Sequence, residues 1–280
     1  MANTIKYPAP ISYPKYETLL IDMPEPNIMK VTLNRPNAYN ALSHTLVDEM
    51  TDLCAKLKDD FYHVRVVLLY GGDEAKGFCA GLDVKEGLDE YEKTVPGFYA
   101  YQIKLGEMEL KMTQTPQPWI AMIDNVSAGG GFSLAMASDI RVCTKTARFS
   151  CFYANVGIGG ADMCSSYQLP RLIGTGRAYE MLLTGNFITA DEAWNLGLVS
   201  RVVEDRAALT PVAMELARTI AAKDPMAVRL TKEAMRINVD AAGFENGLHV
   251  ENRNQTLMIA HNMHKDSSLD PIGKHWIEER

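Results

Sequence analysis

The segment spanning residues 119–140 constrains the fold of this chain more than any other stretch. It opens with an apolar run typical of a buried strand and then reaches three consecutive glycines, Gly129 to Gly131, which precede an apolar helical pattern. Glycines have no Cβ, so their backbone N–H groups are accessible, and the dipole of a following helix places partial positive charge on them. A strand, a glycine turn and a helix in this order predict an oxyanion-binding turn.

Strand and helix patterns alternate through the first 200 residues, which predicts an α/β fold. The patterns indicate a hairpin over residues 18–33, a helix that starts after the N-cap Ser43, and a strand buried on both faces at 64–70. Nearly all of the signal beyond residue 205 is helical. We therefore predict an N-terminal arm (1–17), a core (18–204) and a C-terminal helical region (205–280). Further elements are predicted at 98–114, 140–143, 147–152, 174–183, 189–196, 199–203, 211–222, 225–239 and 245–263.

Composition narrows the class of protein. The 280 residues are 47% hydrophobic and 22% charged, as is usual for a globular enzyme. The formal net charge of −7 disfavours non-specific binding to nucleic acid. Five cysteines without metal-type spacing predict reduced thiols and no zinc site. Because there is neither an apolar run of about 18 residues nor a signal-peptide core near the N-terminus, we expect a cytoplasmic protein, with a short organellar leader left open.

A second glycine turn, at residues 79–81, repeats the arrangement of the glycine triplet. Each turn follows a buried strand and precedes a helix. If the two turns meet at one pocket, two backbone donors surround one carbonyl oxygen, and each such donor contributes about 2.7–4 kcal/mol of transition-state stabilisation. Considered alone, each turn is better explained as a tight connection between a strand and a helix.

Four motifs follow one another in a recognisable order. They are Asn34-Arg35-Pro36 with Asn40-Ala41-Leu42, Phe78-Cys79-Ala80-Gly81-Leu82-Asp83, Val126-Ser127-Ala128 with the triplet and Ala137-Ser138-Asp139-Ile140, and Leu183-Thr184-Gly185 with Gly197-Leu198-Val199. Together they resemble the crotonase superfamily, also called the enoyl-CoA hydratase/isomerase family. The resemblance implies a spiral core of ββα units and a C-terminal helical region that assembles trimers or pairs of trimers and covers the site. It also implies acyl-CoA thioesters as substrates, with CoA present only as part of the substrate and with no separate cofactor or metal.

The same resemblance assigns binding residues. It implies that the N–H groups of Ala80 and Gly130 hold the thioester oxygen. Arg35 and Ala38, in the first motif, would lie near the CoA phosphates and pantetheine. Leu82, two residues after the first donor, would lie near the adenine.

Two glutamates that serve hydration in typical family members are replaced in this chain. Hydration needs one group to activate water and another to deliver a proton to the α-carbon. The corresponding positions are Ser133 and Tyr153, and neither is a general base near neutral pH, because serine barely ionises and the reference pKa of tyrosine is about 10. We interpret Ser133 as a small residue facing the pocket, and Tyr153 as pocket wall or hydrogen-bond donor.

Asp162 is the remaining candidate for proton transfer. It ends a glycine-rich turn that opens the next helix, and dienoyl-CoA isomerases and 4-chlorobenzoyl-CoA dehalogenases of the family carry an aspartate at a similar position. The alternative is a helix N-cap, a common role for aspartate at such a place. Dehalogenation is weakened because the helix at 98–112 offers Glu107 and Glu109 but no histidine that could activate water.

The leading hypothesis is an enzyme that stabilises a thioester enolate and uses Asp162 to move a proton, as an enoyl-CoA isomerase or an atypical enoyl-CoA hydratase. A second hypothesis is an acyl- or aroyl-CoA hydrolase or dehalogenase with Asp162 as nucleophile. A third is a non-catalytic CoA-binding scaffold, which the two missing glutamates suggest. We expect a homotrimer or a dimer of trimers, with no nucleic-acid or membrane partner.

Overall fold

The computed structural model describes residues 8–265 and confirms the predicted α/β fold. The strands are Leu19–Glu25 (β1), Ile28–Leu33 (β2), Val66–Tyr70 (β3), Gly77–Cys79 (β4), Trp119–Ile123 (β5), Val126–Ala128 (β6), Ile140–Thr144 (β7), Arg148–Ser150 (β8), Ile188–Thr189 (β9) and Arg201–Val203 (β10). The α-helices are His44–Asp59 (α1), Val95–Gln114 (α2), Gly130–Ala137 (α3), Ser165–Ile173 (α4), Thr175–Thr184 (α5), Ala190–Asn195 (α6), Arg206–Ala221 (α7), Pro225–Asn238 (α8) and Phe244–Lys265 (α9). Short 3-10 helices occupy Pro36–Ala38 and Tyr153–Val156.

The larger sheet has the strand order β1-β2-β3-β5-β7-β10. β1 and β2 form the predicted antiparallel hairpin, and every other neighbouring pair is parallel. All five residues of β3 and all five of β5 are buried. Continuous burial is the pattern expected of parallel strands that are covered on both faces.

Alternate residues of β3 divide the core into two layers. Val67 and Leu69 pack into a cluster with side chains of α1, α2 and α3. Val66, Leu68 and Tyr70 point to the other face and pack against α7. This alternation follows from the two-residue period of a strand.

The smaller sheet has the order β4-β6-β8-β9, and it explains why the two glycine turns meet. β4 and β6 are parallel neighbours, with Gly77 opposite Val126 and Cys79 opposite Ser127. The chain leaves parallel strands at the same edge of a sheet, so the turn after β4 and the turn after β6 begin side by side. Their meeting is a consequence of this pairing.

N-cap side chains determine where several helices begin. Ser43 is the N-cap of α1, as predicted, and Thr189 forms a capping box with Glu192 at the start of α6. α7 was expected to start at Pro211 but begins at Arg206, because the Asp205 side chain accepts the N–H of Ala208 and caps the helix earlier. Pro211 lies inside α7 and removes one backbone hydrogen bond, and burial of the following face against the sheet offsets that loss.

The chain separates into two compact units. One comprises residues 10–222 and extends beyond the change in composition near residue 205, because α7 packs on the larger sheet. The other contains α8 and α9, where the Asn254 amide donates to the Leu230 carbonyl at 3.2 Å. The first residues of the predicted N-terminal arm and the last residues of the predicted C-terminal region lie outside the described part of the chain. No helix within residues 8–265 is both long and apolar enough to cross a membrane.

Candidate active site

A cavity of about 490 Å³ lies within the unit formed by residues 10–222. Its walls come from the loop after β2, the loop after β4, the face of α2 that includes Gln102, the glycine triplet, and residues 152–163. Most of the lining is apolar or backbone. A cavity of this size that combines apolar walls with a few polar groups is typical of a small-molecule site.

The two glycine turns are in direct contact at this cavity. Gly81 has a φ of 101° and Gly129 a φ of 51°, both in the left-handed region that glycine adopts without strain. A Cβ on Gly81 would lie 3.0 Å from the Ala128 carbonyl oxygen and 3.3 Å from the Gly130 nitrogen. Only glycine therefore allows the first turn to approach the backbone of the second this closely.

The N–H of Ala80 is already used inside the fold. It donates to the Tyr39 carbonyl oxygen at 3.1 Å, which joins the turn after β4 to the loop after β2. The prediction that Ala80 supplies the first oxyanion donor is therefore corrected. The sequence motif located the turn but did not show which of its N–H groups the neighbouring loop occupies.

The neighbouring N–H of Leu82 has a different surrounding. The Leu42 N–H donates to the Gly81 carbonyl at 2.7 Å, and the Leu42 carbonyl accepts the Asp83 N–H at 3.0 Å. Leu82 stands between the two residues that bond to Leu42, so its own N–H points away from Leu42. Among residues 8–265 no acceptor is found for the N–H of Leu82, nor for that of Gly130 at the start of α3, and both residues line the cavity.

Tyr153 and Ser133, which the sequence predicts at the glutamate positions of typical hydratases, are hydrogen-bonded to each other. The Tyr153 hydroxyl lies 3.0 Å from the Ser133 hydroxyl, and both side chains are buried. Tyr153 lines the cavity, whereas Ser133 lies behind it. Burial raises the pKa of Tyr153 well above its ordinary value, although the Ser133 hydrogen bond acts in the opposite direction. Tyr153 is therefore a neutral wall residue whose hydroxyl is held in place.

Asp162 lines the cavity and does not cap a helix. α4 begins at Ser165, and its N-cap residue is Cys164. One Asp162 carboxylate oxygen accepts the Met163 N–H at 2.8 Å, and the other lies 3.5 Å from the Gln102 amide nitrogen. No ion pair to Asp162 is found in the described part of the chain. The N-cap alternative is therefore wrong, and the carboxylate is available to a ligand in the cavity.

Arg35 is bound inside the loop that carries it. One of its terminal nitrogens lies 2.7 Å from Asp83, and the other donates to the Ala41 carbonyl. Burial acts to raise the pKa of Asp83, but hydrogen bonds from Arg35, Lys85 and Glu86 outweigh it and lower that pKa. The guanidinium therefore fastens the loop after β2 to the turn after β4, and its place near the CoA phosphates stays a prediction.

Two further residues that the sequence predicts near CoA are found at the cavity. Ala38 and Leu82 both line it. Lys85, which the sequence argument missed, also lines it and has an exposed side chain. Its position three residues after Leu82 was the available signal, since this spacing places a lysine close to the motif.

α2 supplies a buried carboxylic acid, Glu109, for which the sequence indicated no role. Glu109 is only 2% exposed, and the Gln168 amide donates to it at 2.6 Å. Burial first, and then the charge of Asp162, raise the pKa of Glu109 to about 8, while the hydrogen bond from Gln168 opposes the shift. The sequence did contain a sign of its position, because Glu109 comes seven residues, or two helical turns, after Gln102 and so lies on the same side of α2.

The described residues contain neither a candidate metal site nor a disulfide bond. No group of three or more histidine, cysteine or acidic side chains there could hold a metal ion. The cysteines form no disulfide bond, and four of the five are buried.

Comparison with known proteins identifies relatives over nearly the whole chain. The family model "Enoyl-CoA hydratase/isomerase" matches residues 24–272. A probable enoyl-CoA hydratase of Mycobacterium leprae is 32% identical over 264 residues, which cover 91% of this chain and 87% of the relative. The crystal structure of a putative enoyl-CoA hydratase from Streptomyces coelicolor A3(2) has a TM-score of 0.84 at 29% identity and covers 100% of this chain and 98% of its own. A monofunctional enoyl-CoA isomerase from Mycobacterium smegmatis has a TM-score of 0.69 at 32% identity and covers 82% and 98%.

Proposed function

This chain belongs to the enoyl-CoA hydratase/isomerase family of acyl-CoA-processing enzymes, and from that premise we propose that it moves one proton on an enoyl-CoA thioester. Enoyl-CoA isomerisation is the reaction that fits best, and an atypical hydration that uses the same aspartate is the second candidate. One observation carries the proposal. Asp162, a carboxylate with no ion-pair partner among the residues described, lines the same cavity as two backbone N–H groups for which residues 8–265 supply no acceptor, those of Leu82 and Gly130.

The two N–H groups suit the thioester oxygen. Removal of a proton next to a thioester places negative charge on that oxygen, and fixed backbone donors stabilise the charge without reorganisation. Gly130 adds the positive end of the α3 dipole, although this helix is only eight residues long. We assign Leu82 and Gly130 as the oxyanion donors, each contributing about 2.7–4 kcal/mol to the transition state.

Asp162 is the base in this proposal. Its carboxylate takes a proton from C2 of a 3-enoyl-CoA, and the electron pair of that C–H bond moves into the enolate. The protonated Asp162 side chain, which lines the cavity, exchanges its proton with solvent and then delivers a proton to C4. The double bond moves to C2–C3, and the carboxylate is regenerated. One carboxylate suffices for this cycle, which needs no second acid and consumes no water.

Two-carboxylate hydration, as in typical relatives, is disfavoured because the second carboxylate at the cavity, Asp83, is already in an ion pair. Among the lining residues that the structure describes, the acidic side chains are Asp83 and Asp162. Asp83 is held by Arg35 at 2.7 Å and is 8% exposed, so its oxygens already serve the ion pair. Hydration by this chain would therefore have to use Asp162 for both proton steps.

Hydrolysis and dehalogenation receive less support from the site. Both need water to be activated for attack on a covalent intermediate, and histidine is the usual base for that step. No histidine is among the described lining residues. His44, on α1, instead has its two ring nitrogens 2.9 Å from Glu92 and 3.1 Å from Glu86.

CoA would enter past the loops after β2 and β4. Ala38 and Leu82 offer apolar contacts for pantetheine and adenine, and the exposed ammonium of Lys85 is suited to a phosphate. This assignment adds Lys85 to Arg35 as a cation for CoA. The expected homotrimer or dimer of trimers stays a prediction.

A panel of substrates tests the proposed function. Purified protein is incubated with 2-enoyl-, 3-enoyl- and dienoyl-CoA series, and the products are separated by mass and by chromatography. We expect conversion of 3-enoyl-CoA into 2-enoyl-CoA, which Asp162→Asn abolishes and the exposed-site control Asp191→Asn preserves. Hydrated product would favour the second candidate. Free CoA or free acid would instead identify a hydrolase, and binding of acyl-CoA without any turnover would identify a scaffold.

A further inference from the structure

Glu109 lies at the centre of a buried polar cluster that the proposed reaction does not use. It belongs to the buried face of α2, and it does not line the cavity. Its partner Gln168 is on α4, the helix that starts three residues after Asp162. The pair therefore joins α2 to the segment that carries the base.

The hydrogen bonds of this pair are incomplete when Glu109 is written as a carboxylate. One of its oxygens accepts the Gln168 amide at 2.6 Å. The other oxygen, Oε2, and the Gln168 carbonyl oxygen, Oε1, are both buried and have no partner in the part of the chain described here. Two acceptors without donors in one buried pair are unfavourable, since each unmade hydrogen bond costs roughly 1–3 kcal/mol.

A proton on Glu109 Oε2 removes this deficit. It converts one of the two orphaned acceptors into a donor, and an acid and an amide then have complementary donors and acceptors on both sides. The charges near Glu109 also favour the neutral form. The charge of Asp162 acts on Glu109, an ionised Glu109 would in turn raise the pKa of Tyr153 and of Cys164, and the described ion pairs do not include Glu109.

The helices packed around Glu109 and Gln168 do not bring a compensating charge. α3 carries no titratable side chain. On α1, Lys56 pairs with Asp52, His44 pairs with Glu86 and Glu92, and Lys58 is exposed. On α4, Arg171 is exposed and donates to the Tyr167 carbonyl. Two other acidic side chains of α1 also have partners, namely Lys104 for Asp48 and the Thr18 N–H for Glu49. An ionised Glu109 would therefore be a buried, unpaired charge, which is among the most destabilising arrangements in a protein.

We propose that Glu109 is a positioning residue: it carries a proton at neutral pH and, paired with Gln168, fixes α2 against the turn that holds Asp162. This inference rests on the proposed function, because it assigns Glu109 to the same site. α2 then holds that turn at two points, through Gln102 beside the Asp162 carboxylate and through Glu109 two helical turns further along. Loss of the Glu109 proton breaks the acid–amide pair and places a second negative charge near Asp162.

The pH dependence of turnover follows from this arrangement. With a Glu109 pKa of about 8, roughly a tenth of the molecules keep the proton at pH 9. We expect kcat/KM of the wild type to be about tenfold lower at pH 9 than at pH 7, chiefly through kcat. Glu109→Gln cannot ionise and keeps an amide in place of the acid, so its profile should lack this fall. Glu107→Gln, an exposed change two residues away, should keep the wild-type profile.

A second readout does not depend on turnover. Infrared difference spectra between pH 7 and pH 10 should show the C=O stretch of a protonated carboxylic acid in wild type and Glu107→Gln, lost at high pH and absent from Glu109→Gln. A turning-over wild type whose pH profile matches that of Glu109→Gln would overturn the positioning role and leave the proposed function intact. A spectrum without a band that depends on Glu109 would overturn the protonated state. A wild type without turnover would instead refute the proposed function, and the infrared band would still decide the protonation.

Discussion

Replacement of Gly131 by alanine tests how closely the two glycine turns are packed. A Cβ at residue 131 would collide with the Cys79 carbonyl oxygen and lie 2.7 Å from both the carbonyl carbon and the Cβ of Cys79. Real Cβ atoms essentially never approach other heavy atoms within 3.0 Å. Because the obstructing atoms include backbone of β4, no side-chain rotation relieves the clash, and β4 or α3 has to move.

The expected magnitude follows from this geometry. Overpacking a rigid core costs about 1–3 kcal/mol, and an obstruction by backbone places Gly131→Ala at or above the upper end. Cys79 is followed directly by residues 80–82, so the shift also displaces the Leu82 N–H from the Gly130 N–H. A misplacement of about 1 Å at a reacting centre can reduce the rate about 100-fold, and we expect a loss of that order in kcat/KM.

Chemical denaturation and turnover of 3-enoyl-CoA measure the two effects. Gly106→Ala is the matched control, because Gly106 lies on α2 with no heavy atom within 4 Å of an added Cβ. That control should be neutral or more stable by about 0.5–1 kcal/mol, as alanine favours helix over glycine. A Gly131→Ala protein that unfolds at the same denaturant concentration as the wild type would refute the packing argument. Lost stability with unchanged kcat/KM would refute the link between this contact and the donors.

Further predictions concern polar groups around the core and the cavity. Arg141→Ala should lower the free energy of unfolding by about 2–4 kcal/mol, measured by denaturation, because its guanidinium serves the buried carbonyls of Ser138 and Leu198, each at 2.6 Å. Ser133→Ala should cost about 1–3 kcal/mol by the same assay, since it leaves the buried Tyr153 hydroxyl without its partner. Burial disfavours the charged ring of His44, but the hydrogen bonds to Glu92 and Glu86 outweigh it and raise the pKa of His44. The charged His44 therefore stabilises the loop at residues 83–94 fully below about pH 6.5. This stabilisation is lost as pH rises through the folded pKa. Limited proteolysis of that loop should speed up with pH in the wild type and should be fast at all pH values in His44→Gln.

Much of the site was predictable because its elements depend on local sequence. Glycine turns after apolar strands, the Ser43 cap and the continuous apolar run of β3 are recorded in neighbouring residues, and each was found where expected. The position of Asp162 at the cavity also followed from its place in the motif order.

The sequence was least informative where a group's partner comes from a distant part of the chain. Nothing near Ala80 indicates that Tyr39 occupies its N–H, and nothing near Arg35 indicates that Asp83, 48 residues away, binds its guanidinium. The helical spacing of Glu109 was visible, but its burial and its pairing with Gln168 depend on how α2 meets α4. Local patterns determine which elements form, whereas hydrogen-bond partners in the site depend on tertiary packing.

Deuterium exchange tests the central claim most directly, because formation of a thioester enolate requires removal of a C–H proton. The protein is incubated with 3-enoyl-CoA in D₂O, and deuterium in recovered substrate and product is measured by mass spectrometry. We predict incorporation by the wild type, and a rate at least about 100-fold lower in Asp162→Asn, which is the usual contribution of a general base. Exchange in Asp162→Asn at the wild-type rate would contradict the claim that Asp162 moves the proton.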